Sequence, residues 1–147
     1  MFFINGELAE SVPFDDRGLA YGHGLFETVR LCGGGIPLWH YHLRRLKHGA
    51  ERLGITIDDL LLDRFLDQLL GACPKNGIIK VMVTAGCGER GYRSSLGVLP
   101  NYIFQWFAPP DIPTVYAEQG ISLKFFVSAL SRHLKLPGIK HLFFPHF

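Results

Sequence analysis

Reactive side chains cluster in a few places in this sequence, most densely in Asp16–Arg30, DRGLAYGHGLFETVR. Gly22 and Gly24 allow backbone conformations closed to other residues, and beside Tyr21 and Phe26 that freedom suits a pocket wall. Lys140, in Pro137-Gly138-Ile139-Lys140, bears an amine that turns nucleophilic only when it sheds its proton, which burial or a neighbouring cation favours. Arg44 and Arg45, in His42-Leu43-Arg44-Arg45-Leu46, carry planar, permanently charged forks of the kind that grip phosphate. From spacing alone, all three cations read as solvated surface residues. His40, His42 and His48 suggest a metal, but a helix points the first two in different directions, and a metal site is rejected. Cys32, Cys73 and Cys87 lack CxxC spacing, so neither a disulfide framework nor a zinc site is indicated.

The elements that must position these groups follow from periodicity and punctuation. Phe2–Ile4 and Glu7–Ala9 flank Asn5-Gly6 and read as a hairpin. Asp16, Arg17 and Gly18 read as a turn and Leu25–Leu31 as a buried strand. Gly33-Gly34-Gly35 turns the chain, and Ile36–Leu38 is expected to pair back. Leu43, Leu46, Ala50 and Leu53 recur at helical spacing over Trp39–Leu53, with Gly54 as the stop. Thr56 with Asp59 resembles a capping arrangement for a second helix, Leu60–Ala72. Ile78–Ala85 and Asn101–Phe107 read as strands joined by the glycine-rich loop Gly86–Gly97. Pro109, Pro110 and Pro113 mark a boundary, so residues 1–110 are expected to form an N-terminal α+β domain. Residues 111–147 read as a linker and the start of a second domain, with Ile121–Val127 as a strand and Ser128–Leu136 as a connector.

At 147 residues, 48% of them hydrophobic and 19% charged, the chain is too apolar to be disordered and large enough to bury a core. A net charge of +2 gives no electrostatic argument for nucleic acid or a membrane as partner. Met1–Ile4 is too short for a secretory apolar run and no segment approaches a membrane span, so a cytoplasmic location is expected.

The opening MFFINGELAESVPFDDRGLAYGHGLFETVRL, then HLRRL, GERGYR and LPGIKHL, in that order, resemble the fold-type IV pyridoxal-phosphate enzymes. That family includes aminodeoxychorismate lyases, branched-chain aminotransferases and D-amino acid aminotransferases, and the wording is most similar to the lyases. The resemblance implies a small domain with an antiparallel sheet and two helices, and pyridoxal 5'-phosphate as cofactor. It implies that Lys140 binds the cofactor covalently and that Arg45, rather than Arg44, holds its phosphate. Tyr21, Phe26, Arg30, Arg90 and Tyr92 fall on the substrate side, partly across a homodimer interface. His23 departs from the pattern, because many relatives have aspartate there. The implied reaction is conversion of 4-amino-4-deoxychorismate to 4-aminobenzoate and pyruvate, a step toward folate. A branched-chain or D-amino acid aminotransferase is the alternative.

The resemblance ends after Leu142. The family continues with an asparagine-arginine segment, whereas this chain reads Phe143-Phe144-Pro145-His146-Phe147. The expectation is a truncated or frame-shifted reading frame, short of the domain that supplies the acidic partner of the pyridine nitrogen. A non-catalytic fragment is therefore a third reading.

Overall fold

The computed structural model describes residues 1–93, 97–125, 136 and 138–142. Strands β1 (Phe2–Ile4) and β2 (Glu7–Leu8) form the expected hairpin, closed by Asn5 and Gly6, both at positive φ. Helix α1 (Arg17–Tyr21) precedes β3 (Gly24–Leu31), then α2 (Trp39–Leu53), α3 (Asp59–Ala72), β4 (Gly77–Thr84), β5 (Asn101–Phe107) and α4 (Val115–Gln119). The five strands form one antiparallel sheet in the order β2-β1-β5-β4-β3, which leaves β3 at an edge.

Period-two alternation makes the sheet two-sided. Leu25, Glu27, Val29 and Leu31 of β3, Ile79, Val81 and Val83 of β4, and Tyr102 and Phe104 of β5 are buried in phase. Helix α2 lies over β3 through Leu46, Gly49 and Ala50, and α3 lies over β5 through Leu62, Phe65, Leu66 and Leu69. Each such leucine, fully buried, contributes about 1.5–3 kcal/mol. Phe26, Thr28, Arg30, Lys80 and Met82 fall on the opposite face.

Four local expectations are corrected. Asp16–Gly18 is no free turn: Asp16 is the N-cap of α1, its carboxylate accepting from the amides of Gly18 and Leu19. Ile36–Leu38 does not pair back. Only Cys32 and Gly35 bridge, Pro37 has no N–H for a ladder, and Leu38 turns left-handed (φ 61°) into α2. The cap of α3 is Asp58, which accepts from the Leu61 amide at 3.1 Å, so the role falls two residues after Thr56 of the expected Thr56–Asp59 arrangement, and Asp59 is the first residue of the helix. Ile121–Phe125 is exposed and forms no strand, since among the described residues none lies beside it to share a ladder; Phe126 and Val127 fall outside those residues, as does Ser128–Lys135 of the connector. Helix α4 was not anticipated.

Candidate active site

The signature stretch is built around a buried carboxylate. Asp16 is fully buried, and beyond its two helix amides it accepts from Thr84 Oγ1 at 2.6 Å and Asn101 Nδ2 at 2.7 Å. Two of its four hydrogen bonds cap α1, and the other two pin the start of that helix to the ends of β4 and β5. Gly22 closes α1 at φ 66°. His23 Nε2 then donates to the Leu53 carbonyl at 3.0 Å, so the histidine that departs from the family wording caps the C-terminus of α2. At Gly24 a Cβ would stand 2.7 Å from Leu142 Cδ1 and 2.8 Å from the Val83 carbonyl, so only glycine lets the chain through.

Beyond Gly24, the free edge of β3 receives the segment carrying Lys140. The Phe26 amide donates to the Lys140 carbonyl at 3.0 Å, the Leu142 amide donates to the Gly24 carbonyl at 2.9 Å, and Leu25 stands opposite His141. This register puts Lys140 beside Phe26 on the sheet face away from the helices. Its Nζ lies 4.8 Å from the Phe26 ring centroid, and Lys80 Nζ lies 5.4 Å from the same ring.

Glu27, the next residue of β3, points the other way, toward α2. It is 1% exposed, a cost that demands partners. Arg45 supplies Nε to Oε1 and Nη2 to Oε2, both at 2.6 Å, and His42 Nδ1 donates to Oε2 at 2.9 Å. Burial alone would raise the Glu27 carboxyl, but the hydrogen bonds from Arg45 and His42 outweigh it and hold the group below the usual carboxylate range. The same pair holds the Arg45 guanidinium above its ordinary value. Arg45 nonetheless stays half exposed, and Glu27 engages only Nε and one N–H of Nη2, leaving Nη1 and the rest of Nη2 as donors. Those donors border a cleft of about 670 Å³ lined by Leu38, Tyr41, His42, Arg44, Arg45 and His48. Of the two arginines, Arg44 lies over Tyr41 at 5.2 Å, while Arg45 is braced against the sheet. The amine and the braced guanidinium thus hang from consecutive residues of one edge strand but on opposite faces of the sheet, Lys140 on the face away from the helices and Arg45 on the helix side.

The remaining residues divide. The Tyr21 hydroxyl accepts from the Gly91 amide at 2.9 Å, and its ring lies 5.5 Å from that of Tyr92. Arg90 and Tyr92 are exposed, to either side of Gly91. Arg30 is exposed too, but it lies four residues beyond Phe26, about 13 Å along the strand, and joins neither group. Sequence reading passed over Glu27, Lys80, Arg17 and the carboxylate-binding role of His42. Glu27 had a signal: it is acidic and falls in phase with Leu25, Val29 and Leu31, where a charge needs a buried partner.

The sequence profile of the family named amino-transferase class IV matches residues 24–143. Aminodeoxychorismate lyase from Vibrio harveyi is 31% identical over 143 residues, 96% of this chain and 52% of that protein. D-alanine aminotransferase from Staphylococcus epidermidis is 29% identical across 81% of this chain and 45% of the relative. The crystal structure of 4-amino-4-deoxychorismate lyase from Pseudomonas aeruginosa superposes with a TM-score of 0.89 at 35% identity, covering 97% of this chain and 52% of that one. The chain therefore spans about half the length of the relatives it matches. Its family is one of pyridoxal-phosphate-dependent enzymes. With the profile match running from the glycine turn through the lysine segment, this chain belongs to the class IV aminotransferases.

Proposed function

We propose that the chain carries the lysine and phosphate anchor of an aminodeoxychorismate lyase, which converts 4-amino-4-deoxychorismate to 4-aminobenzoate and pyruvate. The observation behind this reading is that the Lys140 segment pairs along the edge of β3 while Arg45 is braced by Glu27 of the same strand, so that a ligand shared by the two would reach around that edge from one face of the sheet to the other. Similarity to lyases from two organisms favours that reaction over others in the family. Bound there, pyridoxal phosphate supplies an aldehyde for amines and a ring that accepts an electron pair. Arg45 would hold the phosphate with the N–H groups that Glu27 leaves free. The Lys140 amine takes the proton from the ring carbon bearing the substrate's amino group. Breaking the ring-carbon bond to the enolpyruvyl oxygen would then leave an aromatic ring and expel the enolate of pyruvate, which takes one proton at its methylene carbon to become pyruvate. Tyr21, Arg90 and Tyr92 border the substrate, with the arginine matched to its carboxylates. Arg30 is retained as a second cation only if a partner copy brings it in.

Residues 1–110 form the small domain in this reading, and residues 111–147 lead toward the cofactor domain. The enzyme acts in the cytoplasm as a homodimer. Supporting a partner are apolar side chains left in solvent, Phe14 at 91% and Leu60 at 83% exposure among them. Among the described residues, no helix is long and apolar enough to cross a membrane.

The likeness to D-alanine aminotransferase favours transamination as the second reading. To decide, the chain loaded with pyridoxal phosphate is given aminodeoxychorismate, or paired amino and keto acids. Fluorescent 4-aminobenzoate from the first supports the lyase, and amino-group exchange in the second supports the aminotransferase. Neither product leaves a folded, non-catalytic fragment.

A further inference from the structure

Arg17 is 2% exposed, yet among the described residues it has no carboxylate partner. A guanidinium that deep is costly unless its donors are used. Its backbone N–H donates to the Gly86 carbonyl at 2.8 Å, and the Gly88 amide donates back to the Asp15 carbonyl at 3.2 Å, so the loop after β4 begins against the chain around α1. The Arg17 side chain passes Gly88 and spends its fork on two consecutive carbonyls, Nη1 to Gly91 at 3.1 Å and Nη2 to Tyr92 at 2.8 Å. The guanidinium lies 5.0 Å from the Tyr21 ring centroid, and the Tyr21 hydroxyl takes the amide of the same Gly91. Gly91 is thus held at its N–H by Tyr21 and at its carbonyl by Arg17, in a backbone conformation, φ 122°, that favours glycine.

We propose that Arg17 is a positioning residue: it clamps the Gly91–Tyr92 backbone so that Arg90 and Tyr92 project at fixed points beside Tyr21 and set the grip on substrate. What those side chains grip rests on the proposed function; the clamp itself does not. Both grips are on backbone, so the clamp sets the loop's path whatever side chains it bears. Only a planar fork spans neighbouring carbonyls, which a lysine's point charge does not reproduce.

The test is Arg17→Lys, read first by amide hydrogen exchange on the chain as it stands. Exchange at Gly88–Tyr92 is expected to accelerate about tenfold or more, the equivalent of one lost charge-assisted hydrogen bond. Amides of β4 and β5 are expected to keep their rates. Unchanged loop rates, or acceleration spread evenly through β4 and β5, would overturn the clamp. Should Arg17→Lys fail to fold, Tyr21→Phe substitutes: it removes the acceptor for the Gly91 amide and must accelerate that amide, with no change overturning the proposal. The second readout is binding of 4-aminobenzoate to protein loaded with pyridoxal phosphate. Arg17→Lys is expected to weaken it about tenfold while the visible absorption of the cofactor on Lys140 stays; equal affinity in both proteins contradicts the positioning role. No binding by the unsubstituted protein counts against the proposed function, and the exchange rates then decide the clamp alone.

Discussion

Replacing Glu27 by glutamine tests whether the buried carboxylate braces Arg45. Glutamine keeps the shape but offers one acceptor oxygen where Arg45 and His42 present three N–H donors. At least one charge-assisted hydrogen bond is lost and an amide N–H is turned against a donor, which in a buried setting costs about 1.5–3 kcal/mol. Arg45 is 48% exposed and rehydrates in part, which brings the expected loss to about 2 kcal/mol. For a chain of this size that corresponds to a fall in Tm of roughly 4–8 °C. The pH dependence carries a sign. The folded-state Glu27 carboxyl is held below its ordinary value. Its contribution is therefore complete above the unfolded value, about 4.3, and is lost as the pH falls through the folded one. Urea unfolding of both proteins at neutral pH and in acid reads this directly. The gap between them is expected to be widest at neutrality and to close on acidification. A gap under about 0.5 kcal/mol at neutral pH, or one that persists in acid, would refute the brace.

Two further substitutions probe how the lysine segment and the signature turn are held. Gly49→Ala would set a Cβ 2.7 Å from Leu25 Cδ2 and 3.1 Å from Ile139 Cγ2, so it should destabilise by about 1–3 kcal/mol and speed amide exchange at Leu142, with unchanged rates arguing against close packing there. Asp16→Ala strips acceptors from Gly18, Leu19, Thr84 and Asn101 in a fully buried site and should cost about 3 kcal/mol or more in chemical unfolding, whereas a loss under 1 kcal/mol would mean that the cap and the cross-links contribute little.

Strong local signals in the sequence carried over to the structure, and signals that depend on distant partners did not. The Trp39–Leu53 helix and the Asn101–Phe107 strand appear with the expected bounds, because apolar spacing and Gly54 specify them locally. Ile36–Leu38 and Ile121–Phe125 have strand-like composition, yet strand formation needs a neighbour's hydrogen bonds, and composition does not say whether one is present. Lys140 and Arg45 stand as site candidates through resemblance alone, since spacing marks each as a surface cation. The carboxylate between α2 and β3 was readable as an acid in an inward phase, but its partners lie 15 and 18 residues away in the chain. Arg17 gave no sequence signal, because its partners are backbone carbonyls, which have no residue type.

The most direct test of the site is to load the chain with pyridoxal phosphate, reduce it with borohydride, and locate the added mass by peptide mapping. Lys140 and Lys80 both approach the Phe26 ring, so the result discriminates between two nearby amines. The cofactor mass is expected on the peptide containing Lys140, and absent from that peptide in Lys140→Ala. Mass on Lys80, or no adduct at all, would contradict the assignment of Lys140 as the cofactor-binding amine.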